Sequence, residues 1–442
     1  MVQVSVAGLH DPLATWQEAR DAIATWFREQ RADLVVDCHP AAGDEEHAPL
    51  VVRLHPASDG MVIAGGAGRS VTAQVRTSQV GPGFHVAVCD ALHALAKDCD
   101  LAWQRWDPLA PSPDETGYFT SGDPAQVVAA MADWVAAACR ELLASARAAR
   151  THLGHRLNLR PGHRYPTVEV ATPVGPRSLA WVHATAEDPE QGLDALPWPG
   201  LGDGGEALLG RALVLLWTEI RWRPPLTDGE AFRMLSAASL LQRAHTLDRR
   251  LPYPWAAWRE LVGLLGTAGY TVDLDRDLEQ RLEKLGQGRA QLGYRRHPVA
   301  VDLAGGWEVV VPGDFAEETS PEEGTWRAWD GRRDLRVQTG RIRDPRGAED
   351  TYRRFLPGGT TWLQHASPRV TGRAAFVSRL VEGRTRTHLV ALTVGDPTGD
   401  SPEVASMVLA LDDPGERAWA LDVWRSLDRH TPDTLPTTGA GE

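Results

Sequence analysis

Long apolar runs are missing from this sequence. The longest, residues 207–217, is broken by Gly210 and Arg211 and falls short of the roughly 20 residues that cross a bilayer as a helix. Residues 1–10 lack both a basic opening and an apolar stretch of signal-peptide length. No membrane is therefore expected, and the cytoplasm is the expected compartment. Cysteine is scarce as well: Cys38, Cys89, Cys99 and Cys139 all fall in the first third, with no CxxC pair. That argues against a disulfide framework and for reduced thiols. Lysine is nearly absent, Lys97 and Lys284 being the two among 46 basic residues. With the abundance of Arg, Ala, Gly and Asp, this is the composition of a high-GC bacterial genome. Acidic residues outnumber basic ones, 59 to 46, for a formal net charge of −13, which counts against general nucleic-acid binding. There is no G-x-S-x-G elbow, H-E-x-x-H pair, kinase set or phosphate-loop lysine. Those absences remove the common routes to catalysis, and no cofactor is expected.

What is present is globular. The chain has 442 residues, 43% hydrophobic and 24% charged, more than one core usually organises. The pattern predicts a multi-domain α+β protein in three segments and a tail. Residues 1–150 read as an α+β domain. A helix opens at Asp11-Pro12 and carries Leu13, Trp16, Ile23, Trp26 and Phe27 near helical spacing. Strands follow at 34–38, 50–55, 61–64 and 70–76, then a helix at 84–97, a strand at 101–106 and a loop with Pro108, Pro111 and Pro113. Asp123-Pro124 starts a longer helix with one apolar stripe through Val127, Met131, Val135 and Leu142. Residues 165–296 read as two strands, 167–171 and 178–184, then helices at 206–221, 228–247, 255–265 and 275–285. Residues 297–430 read as strands at 307–311, 325–329, 335–339, 361–365, 374–380, 387–394 and 405–411. A short helix is predicted at 348–355, and Asp413-Pro414 caps a last one. Residues 431–442 are expected to be a flexible tail.

Two stretches carry resemblances. Ala244-His245-Thr246-Leu247-Asp248, followed by Pro254-Trp255 and Leu261, resembles the junction between helices of the tetratricopeptide type, over about one repeat. Arg249 stands where that family has proline. The resemblance implies antiparallel helical hairpins. The run Gly306-Trp307-Glu308-Val309-Val310-Val311-Pro312-Gly313-Asp314-Phe315 resembles the Mog1/PsbP-like group. There such a strand starts an antiparallel sheet flanked by helices, and a helix often closes the domain. Its members mostly bind proteins or act as assembly accessories, so this resemblance implies binding rather than catalysis.

The most chemical-looking set is His85, Cys89 and His93, at i, i+4 and i+8 on one helix. It could hold a soft metal or let a histidine activate the thiol, with Asp90 or Asp98 orienting an imidazole. The neighbouring stripe Phe84, Val88, Leu92 and Leu95 gives the alternative, a half-buried flank in which cysteine acts as a small hydrophobe. Cys38-His39 ends a strand with its side chains on opposite faces. A basic connector holds Arg147, Arg150, Arg156, Arg160 and Arg164 with His152, His155 and His163. It could bind phosphate, RNA or an acidic partner surface, or be a solvated helix end and linker. Gly200-x-Gly202-x-Gly204-Gly205 precedes a helix but lacks the strand a dinucleotide fingerprint needs. Asp273-x-Asp275-x-Asp277 lacks the glycine and glutamate of a calcium loop, and helix capping explains it.

Seventeen tryptophans against seven phenylalanines is the last anomaly. Trp217, Arg221, Trp222 and Arg223 end one helix, and Trp255 and Trp258 start another. Tryptophan and arginine are the residues most enriched in interface hot spots, although core packing accounts for the same residues. The leading expectation is a non-enzymatic bacterial protein that binds another protein or assists assembly. The alternatives are a metal- or thiol-dependent enzyme or effector built on Cys89, His85 and His93, and, from class alone, a component of a toxin–immunity or phage-defence locus.

Overall fold

Strand Gln3–Leu9 shows how the first sheet is built. Val4 and Val6 are buried while Ser5 and Ala7 face out, the period-two alternation of a sheet covered on one face. The computed structural model of the chain describes residues 2–10, 14–41, 46–103, 114–149, 152–160, 162–320, 324–342, 348–356, 361–381, 384–395 and 403–429. The expected cap at Asp11-Pro12, the proline loop around Pro111 and the 431–442 tail lie outside them. The described residues make an α+β protein with four sheets. They group into two compact units: Met1–Arg160, Thr167–Ile220 and Gly229–Gly293 in one, Pro161–Pro166, Arg221–Asp228 and Tyr294–Glu442 in the other.

The first unit holds a six-stranded sheet in the order Asp37–Pro40, Leu50–Arg53, Met61–Gly65, Ser70–Arg76, Gln3–Leu9, Ala102–Trp103. Helices Trp16–Gln30 and Pro82–Asp98 contribute Ile23, Phe27, Phe84, Val88 and Leu92 to its core. The first of these helices begins at Trp16, where Thr15 and Glu18 form a reciprocal capping box. Trp198, from the second expected segment, enters the same core. Its indole Nε1 donates to the Gly202 carbonyl at 2.7 Å, and its backbone N–H donates to Val80 at 2.9 Å. Gly83 is what admits it, because a Cβ there would lie 2.1 Å from that indole nitrogen. Helix Pro124–Ala149 packs Met131, Val135 and Cys139 in a second cluster.

One expectation fails locally. Residues 178–184 were expected to be a strand and form the helix Leu179–Glu187 instead. Ser178 caps it by accepting from the Trp181 N–H at 3.2 Å, and Ala180, Ala184 and Ala186 supply helix propensity. The remaining helices, Gly205–Val214, Asp228–Leu247, Trp255–Thr267 and Arg276–Leu285, follow the predicted order. Asp275 caps the last of them by accepting from the Leu278 N–H at 2.8 Å, as the capping argument required.

The second unit is organised by a seven-stranded antiparallel sheet in the order Ala316–Ser320, Thr325–Trp329, Arg333–Arg341, Glu403–Leu411, Arg384–Gly395, Val370–Val381, Leu363–Ala366. Helix Arg417–Arg425 lays Trp424 on one face, where its Nε1 donates to Thr393 Oγ1 at 3.2 Å. Helix Ala348–Phe355 covers the other face through Tyr352, which packs with Leu392 and Val394. Strand Trp307–Val311 does not open this sheet. It belongs to a four-stranded sheet with Val299–Leu303, His163–Arg164 and Asp428–Arg429. The sharp Pro312–Phe315 turn, closed by the Phe315 N–H donating to the Pro312 carbonyl at 3.2 Å, separates the two sheets.

Candidate functional site

Pro82 at the first helical position fixes the start of helix Pro82–Asp98, and His85 and Cys89 then fall one turn apart on its buried face. His85 Nδ1 lies 2.8 Å from Thr77 Oγ1, and its Nε2 lies 3.0 Å from both Asp114 Oδ1 and Thr116 Oγ1. Asp114 accepts from the backbone N–H groups of Thr116 and Phe119, each at 2.8 Å, and from the Thr116 hydroxyl at 2.9 Å. The ligating atoms of His85, Cys89 and Asp114 all lie within 4.8 Å of one another. His85 and Cys89 are 0% exposed and Asp114 is 1% exposed.

Burial opposes the charge of Asp114. Its bond and attraction to His85, with the N–H groups of Phe119 and Thr116, outweigh that and hold the carboxyl below its ordinary range. Burial acts the other way on Cys89: desolvation first, then the nearby Asp114 and Asp90, drive the thiol far above its ordinary value. The result is a thiol beside an ordered Asp–His pair, closed to solvent. A thiol, an imidazole and a carboxylate at this spacing could receive a metal such as zinc; a thiolate nucleophile is opposed by the electrostatics.

His93 does not complete the set. Each four-residue step rotates the side chain by ~40°, so the second step carries His93 out of the buried face. It is exposed, and its ring lies tilted against that of Phe119, centroids 4.2 Å apart. The carboxylates expected to orient an imidazole are engaged elsewhere: Asp90 accepts from the Tyr118 hydroxyl at 3.4 Å and Asp98 from the Trp26 indole at 3.0 Å. The partner is Asp114, whose one sequence signal is the turn-forming Asp114-Glu115-Thr116-Gly117.

A second buried cluster, invisible in the sequence, lies in the second unit. Glu317, on strand Ala316–Ser320, accepts from Arg295 Nη1, from Arg221 Nη2 at 3.4 Å and from His163 Nε2 at 2.9 Å. Burial opposes ionisation of Glu317, but Arg295, His163 and Arg221 prevail and hold its carboxyl far below the ordinary range. Arg221 also donates through Nε to the Phe315 carbonyl, and Arg223 donates to the Asp314 carbonyl at 2.7 Å. Trp222 between them has a left-handed backbone, φ 54°, and the Arg296 guanidinium lies 3.9 Å from its ring centroid. Two predicted interface arginines therefore fasten their own segment within the unit.

Trp258 is a core residue, 0% exposed, stacked on half-buried Trp255 at 5.6 Å and 14°. It is thus unavailable to a partner surface: the spacing that puts it on the apolar stripe with Leu261 and Leu265 turns it inward. Trp217 is half-buried against Gly175. Of the predicted anion-binding arginines, Arg147, Arg156 and Arg160 fall in the first unit and Arg164 in the second. Arg147 is exposed at the end of its helix, and Arg156 is half-buried on a two-residue strand. Arg160 donates to the Pro56 carbonyl at 3.1 Å. Arg164 pairs with Glu308, and with Asp302 at 3.9 Å. Arg150 lies outside the described residues.

No family model matches the chain and no curated protein matches it. A solved structure from Bacteroides thetaiotaomicron aligns with 29% of this chain and 46% of its own, at 14% identity and a TM-score of 0.24. The chain thus spans less than half of that protein, and a likeness of this degree carries no argument. Among the described residues no helix is long and apolar enough to cross a membrane.

Proposed function

We propose that this chain is a non-enzymatic protein-binding or assembly accessory of the bacterial cytoplasm. The observation that carries the reading is the closure of the His85 constellation: its histidine, thiol and carboxylate face one another at 0–1% exposure. Among the described residues nothing opens these atoms to a substrate, and a raised thiol pKa opposes nucleophilic work. Half-buried Trp222, with the Arg296 guanidinium over its ring, and half-buried Trp255 offer the residue types enriched in interface hot spots. The test is native mass spectrometry of the chain purified from its own host, with Trp222→Ala and Trp255→Ala beside the natural protein. Loss of a co-purifying partner in either variant, with the thermal midpoint retained, supports the reading. Capture unchanged in both sinks it.

A second reading rests on the close approach of His85, Cys89 and Asp114, within 4.8 Å: a buried metal site, structural or belonging to an effector. One equivalent of metal that disappears in Asp114→Asn favours it. Metal-free protein with an unreactive Cys89 removes it.

A further inference from the structure

Arg211 interrupts the most apolar stretch of the chain, and its surroundings define a site of another kind. It sits on helix Gly205–Val214 and is 5% exposed. Its Nη1 donates to the Asp33 carbonyl at 2.8 Å and its Nη2 to the Leu34 carbonyl at 3.1 Å. Both acceptors are neutral. The Nε–H, also buried, has no acceptor. A buried guanidinium held by neutral carbonyls and keeping one donor unsatisfied is costly unless something anionic approaches it.

Beside it opens a cavity of about 470 Å³ walled by Asp33–Val36, the turn at Leu215 and one face of helix Asp228–Leu247. That volume is in the range of small-molecule sites. The wall at Leu215 is a π-helical turn, Leu215–Glu219, a distortion that recurs at functional sites. Arg233 and Arg243 line the same cavity against one carboxylate, Asp33, so cations are in excess. Arg233 is partly engaged, its Nε 3.7 Å from Glu219. Burial first and then repulsion from Arg243 depress the Arg211 pKa to about 10, with Asp33 opposing. Two guanidiniums thus repel each other across space that an anion would fill. Apart from Ser236 and Ser239 the rest of the wall is apolar, and Phe232 on it is 67% exposed.

We propose that this cavity binds a small amphipathic anion, a single carboxylate or phosphate head on an apolar body. The head meets Arg211 Nε and Arg243, and the body lies along Leu215, Phe232 and Leu240. The head must be small because Arg211 offers it one donor. The body must be apolar because Ser236 and Ser239 are the hydroxyls of that wall.

Isothermal titration calorimetry of the full chain tests this with four probes: decanoate, decyl phosphate, decanol and inorganic phosphate. One or both amphiphilic anions bind at one equivalent, and the tighter of them identifies the head. Decanol and inorganic phosphate are weaker by at least about tenfold, each lacking one half of the recognition. Arg243→Ala alters an exposed side chain and weakens the amphiphile about tenfold, the worth of a charged hydrogen bond. Ser236→Trp fills the cavity and abolishes binding with the thermal midpoint retained. The proposal is overturned if neither amphiphile binds, if decanol equals them, or if both variants bind like the natural protein.

Discussion

Replacing Glu317 by glutamine keeps the size of the side chain and removes its charge from a site where three basic side chains converge. Two effects compete. Desolvation penalises a carboxylate with 10% exposure, so by itself its removal would stabilise the fold. The attraction of Arg295, 3% exposed, and of Arg221 and His163 opposes that. The direction of the Glu317 shift decides between them: the carboxyl is held far below its ordinary value in spite of burial, so the partners win. Breaking a buried pair from one side costs about 3–5 kcal/mol. With m near 2–3 kcal/mol/M for urea, that is a fall of roughly 1–2 M in the unfolding midpoint. Tryptophan emission reports it, since Trp307, Trp326 and Trp424 are buried in the same unit.

The pH dependence carries the same sign. A depressed folded pKa contributes stability that is complete above the unfolded value, near 4.5, and is lost as pH falls below it. The natural protein should therefore lose midpoint progressively as pH falls below about 5, while the gap to Glu317→Gln, which lacks the group, narrows. Adding Arg295→Met to Glu317→Gln should recover part of the loss. An unchanged midpoint at neutral pH in Glu317→Gln would refute the reasoning, and so would a gap that is constant with pH.

Trp258→Ala should cost about 3–5 kcal/mol as a buried large-to-small change. Trp258→Phe should cost much less, because the buried Nε1 has no acceptor to lose; equal losses by thermal denaturation would contradict a packing role. All four cysteines are thiols, but with Cys89 and Cys139 buried and burial pushing both upward, iodoacetamide should label the half-buried Cys38 and Cys99 first. Mass-mapped labelling of Cys89 in the native protein would show that the cluster is open.

Elements whose periodicity agrees with their caps were legible from sequence. Asp123-Pro124 announced helix Pro124–Ala149, and Asp413 accepts from the Gly415 N–H at 2.8 Å ahead of the final helix. Strand 325–329 and helix 348–355 fall where the pattern put them. Strand Gln3–Leu9 carries its signal in the buried alternation of Val4 and Val6, but seven residues ahead of the first helix are too short a run to set a strand apart from a leader by composition. Helix Leu179–Glu187 reads as a strand from sequence because its hydrophobic residues alternate while its cap, Ser178, is a common turn residue.

The candidate sites were less legible, for a different reason. Helical spacing predicts which residues share a face, and it joined His85 to Cys89. It carries no information about what that face meets: Asp114 and Thr116 arrive 29 and 31 residues after His85, from a different element. Arg211 is the sharper case. Within its own helix it reads as a break in an apolar run, and Gly210 beside it as a weak helix former. The structure gives both a long-range cause. A Cβ at Gly210 would lie 1.7 Å from the Pro197 carbonyl oxygen, and Arg211 reaches carbonyls 178 and 177 residues earlier in the chain. A charged residue in an apolar helix is therefore informative before its partner is known, because burial leaves it costly until some group, in the chain or bound to it, answers the charge.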